Sequence, residues 1–267
     1  VLGLFRYYYN EKKKLKFQLY LDDQDKQKKE EIHQSQLRLF TNISHDFRTP
    51  LSLILETLDN LKQEGLKEYY HKILINNAKR LLNLVNELMD FRTVENGKMQ
   101  LQVEPLDINR LVEELSYDFN DYAKKRNIQF SIEYDRTIPQ LVYVDKQIVE
   151  KVIMNLLNNA FKYTKDGGQV TIETRSSDNK FISYYTNSFT VKDNNLENSF
   201  SIIIKYSGIG ISKESIASVF ERFYKVKTVN LDSHLGTGIG LALVKSLVLL
   251  HKGAITIYSE RDKGTDM

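Results

Sequence analysis

The sequence predicts an α+β protein in which a long helical hairpin precedes a sandwich of helices on one face of a mixed sheet. Three observations lead to this fold class. Before residue 100, apolar side chains recur at helical spacing in two long stretches that Gly65 separates. After residue 100, short β-branched runs alternate with amphipathic helical stretches. The glycines cluster late, at 208–210 and 236–240.

The composition is that of an ordinary soluble protein, with 41% hydrophobic and 27% charged residues. A length of 267 residues allows two domains, each with its own core. The net charge of +3, without an aromatic and basic groove pattern, gives no reason to expect direct nucleic-acid binding. The absence of cysteine excludes disulfides and thiolate metal sites.

Two interpretations of the first 34 residues are open: they connect the chain to a membrane helix, or they are the frayed N-terminus of a soluble chain. Residues 1–10 place tyrosines after five apolar residues, and the lysines at 12–14 follow, a pattern typical of the cytoplasmic edge of a transmembrane helix that begins before Val1. The alternative is the amphipathic start of a soluble chain. Residues 11–34 are rich in Lys, Glu and Gln, which predicts a polar connecting helix or a weak coiled coil.

The first hairpin helix should end near Gly65, and it has one apolar stripe that runs from residue 40 to residue 61. This stripe comprises Phe40, Ile43, Phe47, Leu51, Ile54, Leu58 and Leu61. His45, Asp46 and Thr49 lie off the stripe, and His45 and Thr49 share a polar face one turn apart. Pro50 cannot donate to the carbonyl of Asp46, so it loosens the helix just beyond His45. On composition alone, a lone helical histidine is most often a surface residue.

A second helix is predicted from Leu66 to Thr93, and with the first it forms an antiparallel hairpin within residues 35–97. Its apolar stripe comprises Ile73, Leu81, Leu84, Leu88 and Phe91. Because a hairpin cannot bury both stripes alone, we expect a homodimer in which two hairpins form a four-helix bundle. The alternative is that the hairpin packs on the C-terminal domain of its own chain.

Residues 101–267 predict the sandwich domain. Strands are expected at 101–105, 129–133, 141–144, 170–174 and 201–205, and helices at 108–125 and 146–163. Asp145 is the expected N-cap of the second of these helices. Residues 178–198 predict an elongated hairpin or loop. Residues 263–267 begin a glycine turn, and we expect the closing strand after it to be absent.

Two motifs in this domain suit a bound phosphate chain. Asn155 and Asn159 lie four residues apart on one helix face, where their amide oxygens can hold a hard cation, and Lys162 adds a positive charge. An asparagine pair on a surface helix is more often simply solvated. The second motif is a glycine turn before a helix, whose backbone N–H groups can approach phosphate oxygens. It comprises Gly236, Thr237, Gly238 and Gly240, and alone it is weak evidence.

Taken together, these strings resemble the kinase core of a sensor histidine kinase. Residues 39–51 resemble the H-box, whose histidine accepts phosphate. Residues 155–164, 219–224 and 236–245 resemble the N-box, the F-box and the second glycine box of the ATPase domain shared with gyrase, Hsp90 and MutL-type proteins. The gyrase and Hsp90 branches lack an H-box. The H-box wording is most similar to the cytoplasmic kinase core of Bacteroides-type hybrid two-component sensors.

The resemblance implies a kinase that uses ATP and Mg²⁺ to phosphorylate its own His45, and that passes the phosphate to a response-regulator receiver on a separate protein or in the same polypeptide. It implies that Asp46 orients the imidazole, that Thr49 holds a position used in receiver dephosphorylation, and that Asn159 coordinates Mg²⁺. The remaining nucleotide contacts fall on Asn155, Lys162, Tyr163, Tyr206, Gly208, Gly210, Gly236, Thr237, Gly238 and Gly240. A lid would cover residues 225–235. The implied location is the cytoplasmic side of the bacterial inner membrane.

Tyr206 departs from the family pattern. The first glycine box usually begins with an aspartate that accepts a hydrogen bond from the adenine amino group, and Tyr206 stands at that position before Gly208 and Gly210. A neutral phenol can accept one hydrogen bond, or it can fill the adenine pocket. Losing a charged acceptor costs about 1.5–3 kcal/mol, or about ten- to a hundred-fold in affinity. The alternative function is therefore a nucleotide-impaired dimeric signalling scaffold or receiver phosphatase.

Overall fold

The computed structural model describes residues 13, 14, 16, 24, 47, 49–58, 67–95, 97–179, 181–192, 199–226 and 238–267. The chain divides into two compact units, Val1–Leu81 and Leu82–Met267. Among the described residues, no helix combines the length and the apolarity that a bilayer crossing requires.

The first unit contains helix α1, residues 49–58, and the beginning of helix α2, Lys67–Glu95. Much of α1 is apolar and exposed, at Leu51, Leu53, Leu55 and Leu58. The predicted start of this first helix at residue 40 and its predicted end near Gly65 lie outside the described residues.

Helix α2 carries two apolar stripes, of which the sequence pattern predicts one. In the predicted stripe, Leu84 and Phe91 are buried, and the other members are half-buried. The second stripe is exposed and follows a heptad-like spacing. It comprises Ile75, Leu82, Val85 and Met89.

The second unit contains all the strands among the described residues. In chain order its elements are β1 (Val103–Leu106), α3 (Ile108–Tyr117), α4 (Phe119–Lys125), β2 (Gln129–Glu133), β3 (Val142–Asp145), α5 (Lys146–Tyr163), β4 (Gln169–Ser176), β5 (Ser188–Lys192), β6 (Phe200–Tyr206), a 3₁₀ turn (Ser218–Phe220), α6 (Gly240–Leu250), β7 (Ala254–Glu260) and β8 (Gly264–Asp266).

The predicted mixed sheet is confirmed. Six strands pair in the order β2-β4-β6-β8-β7-β5, with β2 and β4 parallel and the other neighbours antiparallel. A separate antiparallel ribbon joins β1 to β3. Strands with one apolar face need a second layer to cover it, and the helices supply that layer.

The core lies between the large sheet and its helices. Val170 and Ile172 of β4 and Ile204 of β6 are buried in one cluster with Phe161 of α5. The ring of Phe161 stacks on Phe119 at 4.9 Å between centroids. Burying a side chain of this size contributes about 1.5–3 kcal/mol, so this cluster fixes α5 above the sheet.

Asp145 holds the start of α5, as its sequence position predicts. Its Oδ1 accepts a hydrogen bond from the backbone N–H of Ile148 at 3.1 Å, and its Oδ2 accepts one from Gln102 at 2.7 Å. The backbone N–H of Asp145 donates to Nε2 of His251, at the end of α6, at 2.8 Å. One residue therefore ties together α5, the segment before β1 and α6.

Two expectations for the second unit need correction. The helix predicted over 108–125 is two helices, because the chain turns at Asp118 and brings Phe119 into the core while Leu111 and Val112 stay buried. The segment predicted as a hairpin or loop over 178–198 contains β5, which pairs with β7 at the sheet edge. Phe189 and Val191 of β5 alternate with polar residues and pack on the core, which explains the strand.

The expectation that the closing strand is absent is wrong. Residues Gly264–Asp266 form β8, which pairs with β6 on one side and β7 on the other. These three residues have little intrinsic strand preference. Their burial between two longer strands, with Thr265 fully buried and Asp266 nearly so, makes them a strand.

Candidate active site

The second unit contains most of the predicted site residues. Asn155, Asn159, Lys162 and Tyr163 lie on α5. Tyr206 ends β6, Gly208 and Gly210 follow it, and Gly238 and Gly240 lie at the start of α6. Thr49 is helical and half-buried in the first unit. The predicted residues His45, Asp46, Gly236 and Thr237 lie outside the described residues.

Asn155 meets the second glycine turn directly. Its side-chain Nδ2 donates to the carbonyl oxygen of Lys151 at 2.9 Å, which leaves Oδ1 facing α6. A Cβ atom at Gly240 would lie only 2.7 Å from this Oδ1. The glycine leaves room for the Asn155 side chain at the start of α6, and the two motifs that the sequence separates are neighbours.

The start of α6 suits a phosphate group. Among the described residues, no side-chain hydrogen bond caps α6 at Ile239, and the first backbone N–H groups of a helix have no partner within the helix itself. Gly238 has a φ of 71°, and a Cβ there would lie 2.8 Å from the backbone of Phe223. The positive end of the helix and a turn that only glycine fits are the features that hold phosphate oxygens in proteins.

The first glycine turn is fixed by backbone packing. Thr164 and Gly208 form a β-bridge, and a Cβ at Gly208 would lie 2.5 Å from the carbonyl oxygen of Tyr163. Gly210 has a φ of 57°, and a Cβ there would lie 1.8 Å from the carbonyl oxygen of Glu260. These contacts set the turn that follows Tyr206 against the end of α5.

The amides and the charge on α5 fit a metal ion that arrives with a nucleotide. Asn159 and Lys162 are half-buried, and Nζ of Lys162 lies 4.6 Å above the ring of Tyr163. Within the described residues, no group of three or more His, Cys, Asp or Glu side chains could hold a metal ion. Mg²⁺ usually keeps several waters and takes phosphate oxygens as ligands, so an amide oxygen beside a phosphate site suits it.

Tyr206 is buried where the family's aspartate would stand. The pKa of its phenol is raised to about 12, mainly by burial and also by the nearby Tyr163, Tyr185 and Asp266, while a hydrogen bond with Thr265 acts in the opposite direction. The phenol is therefore neutral at physiological pH. The position of the family's aspartate therefore holds a polar side chain that carries no charge.

A cluster around Phe91 was not predicted from the sequence. Phe91 of α2 packs with Ile148 of α5 and with Ile239 and Leu243 at the start of α6. Asp90 and Lys151 form an ion pair at 2.8 Å, and the guanidinium of Arg222 lies 4.7 Å above the Phe91 ring. No sequence signal indicates these pairs, because Asp90 and Lys151 are 61 residues apart.

Two protein-family models match the chain. The phospho-acceptor domain model, His Kinase A, matches residues 35–97, and the model of the histidine kinase-, DNA gyrase B- and HSP90-like ATPase matches residues 144–267. The chain belongs to the sensor histidine kinases. The ATPase model implies that the nucleotide of this kinase is ATP.

Curated relatives agree with this family. Histidine kinase P4 of Formosa agariphila is 38% identical over 261 residues, which cover 95% of this chain and 18% of the relative. Hybrid signal transduction histidine kinase D of Dictyostelium discoideum is 32% identical, with 87% of this chain and 14% of the relative covered. The chain thus spans less than a fifth of either relative.

Solved histidine kinases have the same fold. Histidine kinase AdeS of Acinetobacter baumannii superposes with a TM-score of 0.59 at 22% identity, covering 83% of this chain and 94% of that one. Full-length ShkA in complex with AMPPNP superposes with a TM-score of 0.58 at 23% identity, covering 84% and 43%. At these identities the likeness establishes the fold.

Proposed function

We propose that this chain is an autophosphorylating histidine kinase core with His45 as its phosphoacceptor and with ATP held between α5 and α6. The contact between Asn155 and Gly240 is the observation that carries the proposal. It brings the amide of Asn155 together with the start of α6, and nothing in a purely structural domain requires that combination. The roles of the individual residues come from the family resemblance and from this geometry.

Phosphoryl transfer requires the protein mainly to orient the reacting groups and to offset their charge. The neutral imidazole of His45 would form a bond from nitrogen to the γ-phosphorus while the bond to the oxygen of ADP breaks. Asp46, its neighbour in sequence, would accept the other ring N–H and hold the tautomer. Asn159 would hold Mg²⁺, which offsets the phosphate charge when bound. Lys162, Asn155 and the glycine turns would orient the phosphates.

A second copy of the chain would complete the hairpin. The exposed stripe of α2, at Ile75, Leu82, Val85 and Met89, and the exposed leucines of α1 are apolar surfaces of the kind that a four-helix bundle covers. We therefore propose a homodimer.

A receiver domain is the proposed phosphate acceptor. A solved histidine kinase, ThkA, is in complex with the response regulator protein TrrA, and its likeness to this chain is one of fold alone. Attachment to a membrane through a segment before Val1 stays a prediction from residues 1–10.

The burial of Tyr206 favours a second candidate function. A phenol that fills the base site would leave a dimeric scaffold that relays conformational change, or that dephosphorylates a receiver through Thr49, without binding ATP well. The intact amide pair and the glycine turns favour the kinase.

Titration calorimetry with MgATP, combined with a phosphohistidine assay, tests the proposal. We expect the chain to bind MgATP and to label itself, and we expect His45→Gln to bind equally well and remain unlabelled. Asn159→Ala should lose both binding and labelling. A silent chain with an active Tyr206→Asp variant would favour the scaffold, and silence of both would contradict the assignment of the nucleotide site.

A further inference from the structure

Helices α5 and α6 meet at two polar points. At the first point, the backbone N–H of Asp145, directly before α5, donates to Nε2 of His251, directly after α6, at 2.8 Å. At the second point, Oδ1 of Asn155 faces the start of α6, where a Cβ atom at Gly240 would lie 2.7 Å away. Because the beginning of α5 meets the end of α6, and the middle of α5 meets the beginning of α6, the two helices run antiparallel.

The spacing between the two points is nearly the same along both helices. Asp145 and Asn155 are ten residues apart in the sequence, and Gly240 and His251 are eleven residues apart. At 1.5 Å of rise per residue, these intervals correspond to about 15 Å on α5 and about 16.5 Å on α6. The hydrogen bond at one end is therefore formed in the same register that brings Gly240 against Asn155 at the other end.

Apolar side chains pack between the two points. Ile148 of α5 is buried in one cluster with Leu243 and Leu247 of α6. Burial of apolar area is non-directional, so it holds the helices together more than it fixes their relative position along the helix axis. A hydrogen bond, in contrast, weakens steeply when its distance or angle changes. The bond between Asp145 and His251 is therefore well suited to fix the axial register of α6 on α5.

Both partners of this hydrogen bond are held in place by other contacts. The carboxylate of Asp145 accepts from the backbone N–H groups of Ile148 and Gln102, and the residue is only 5% exposed. The backbone N–H of His251 donates to the carbonyl oxygen of Leu247 at 3.1 Å, which closes the last turn of α6. Because a buried backbone N–H requires a partner, the N–H of Asp145 depends on the imidazole for its acceptor.

The hydrogen bond also specifies the tautomer of the imidazole. A neutral imidazole has one nitrogen that donates and one nitrogen that accepts. Since Nε2 of His251 accepts from Asp145, the proton of the neutral ring lies on Nδ1. This tautomer can be measured in the chain without any nucleotide.

We propose that His251 is a positioning residue for the nucleotide site. By accepting the N–H of Asp145, it sets the register of α6 on α5 and so the place of the glycine turn relative to Asn155. The inference rests on the proposed function and assigns a role to a residue outside the phosphate-binding motifs. Such a residue affects the binding of the phosphates equally before and during phosphate transfer, so its loss should raise the KM for MgATP and leave kcat unchanged.

Three substitutions at one position test the role of the acceptor. His251→Leu removes it. His251→Gln restores it, because the amide oxygen of glutamine is four bonds from Cα, as Nε2 of histidine is. His251→Asn carries the same amide one bond closer to the backbone, where it cannot reach Asp145. Ser246→Ala is the control on the same helix, since Ser246 Oγ donates to the carbonyl oxygen of Ala242 within α6 and not to α5.

Titration calorimetry with MgATP and initial rates of phosphohistidine formation provide the measurement, at a temperature where thermal unfolding shows every variant to be folded. We expect His251→Leu and His251→Asn to raise the Kd and the KM for MgATP about three- to tenfold, the range that corresponds to one hydrogen bond. The kcat should not change, since a variant that merely lost folded protein would lower the maximal rate instead. His251→Gln and Ser246→Ala should bind MgATP as the unsubstituted chain does.

The ¹⁵N spectrum of the imidazole supplies a readout that needs no nucleotide. The signals of His251 are assigned by their loss in His251→Leu, and we expect them to show the proton on Nδ1. Three outcomes would overturn the inference while the nucleotide site stands: a proton on Nε2, a His251→Leu variant that binds MgATP as tightly as the unsubstituted chain, or a His251→Gln variant that loses as much affinity as His251→Leu.

Failure of the nucleotide site itself has a different result. If neither the chain nor Tyr206→Asp binds MgATP, the proposed nucleotide site is wrong, and the inference falls with it even where the ¹⁵N spectrum shows the expected tautomer. If Tyr206→Asp alone binds MgATP, the substitutions at His251 are made in that variant, and the same three outcomes overturn the inference there.

Discussion

The two faces of the six-stranded sheet are held in different ways. The face toward the helices is apolar around Phe161 and also carries the buried hydroxyl groups of Thr174, Ser259 and Thr265. The opposite face carries charges: Glu173 is nearly fully buried, accepts a hydrogen bond from Nζ of Lys205 at 2.7 Å and pairs with Arg175. On this face the ring of Phe181 meets Tyr258 at 5.9 Å and lies under the guanidinium of Arg175.

The two faces of the sheet contribute differently: one mainly stabilises the fold, and the other mainly specifies how the strands pair. Apolar burial is non-directional and scales with area, so the helix-facing side carries most of the folding free energy. Ion pairs gain little net free energy but cost more when one partner is lost, so the opposite side fixes the strand register more than it adds stability. The comparison therefore predicts unequal effects for matched substitutions on the two faces.

The largest effect should come from aromatic truncation. Phe161→Ala removes a fully buried ring that touches three other rings, and we expect the free energy of unfolding to fall by about 3–5 kcal/mol. Phe181→Ala, the matched change on the opposite face, should cost about 1 kcal/mol because the ring is only half-buried. Urea unfolding of both variants measures the difference, and equal losses would contradict the contrast between the faces.

The charged face should respond next. Glu173→Gln leaves Lys205 and Arg175 facing a neutral amide in a partly buried site, and we expect a loss of about 1–3 kcal/mol. Glu133 lies 4.0 Å from the same Lys205 Nζ but is mostly exposed, so Glu133→Gln should cost less than about 0.5 kcal/mol. Urea midpoints of the two variants provide the measurement, and a Glu133→Gln loss as large as that of Glu173→Gln would show that burial does not matter here.

The smallest effect should be a change in pH dependence, with opposite signs at two carboxyl groups. Burial acts to raise the pKa of Glu173, but hydrogen bonds from Lys205 and Arg175 outweigh it and lower the pKa below 4.5. Glu173 therefore adds stability above its unfolded pKa, and this is lost as pH falls through its folded pKa. Burial raises the pKa of Asp266 above 3.8, despite a hydrogen bond from Ser183, so its contribution is present in acid and is lost as pH rises through its folded pKa.

Unfolding free energies between pH 3 and pH 7 would resolve the two signs. Glu173→Gln should flatten the rise of stability with pH, and Asp266→Asn should steepen it. Identical slopes for the two variants and the unsubstituted chain would show that neither carboxyl has a different pKa in the folded and unfolded states.

Elements with local signals are those that the sequence predicts best. The pattern predicts α5 to its last residue, because Asp145 caps it and the apolar spacing continues to the end of the helix. Strand β8 lacks such a signal, because Gly264–Asp266 becomes a strand only through neighbours contributed by β6 and β7. The exposed stripe of α2 was missed because the buried stripe already accounted for the apolar spacing.

The site residues likewise divide into those that local sequence predicts and those that only tertiary packing brings together. Local strings predict the amides of α5 and the glycine turns, although their chemical roles stay predictions. The alignment of Tyr206, Thr265 and Ser259 across three strands could not be predicted, because it depends on the register of those strands. The same holds for the ion pair of Asp90 with Lys151, which tertiary packing alone creates.

The cluster around Phe91 makes α2 sensitive to its own rotation. The cluster that contains Phe91 includes Phe223 and Ile239, which lie before and after the predicted lid at residues 225–235. Successive residues of an α-helix are 100° apart, so a twist of that size would replace the Phe91 ring with the charged side chain of Asp90 or Arg92. A rotation of this end of α2 would therefore disturb its packing on α5 and on the start of α6 at the same time.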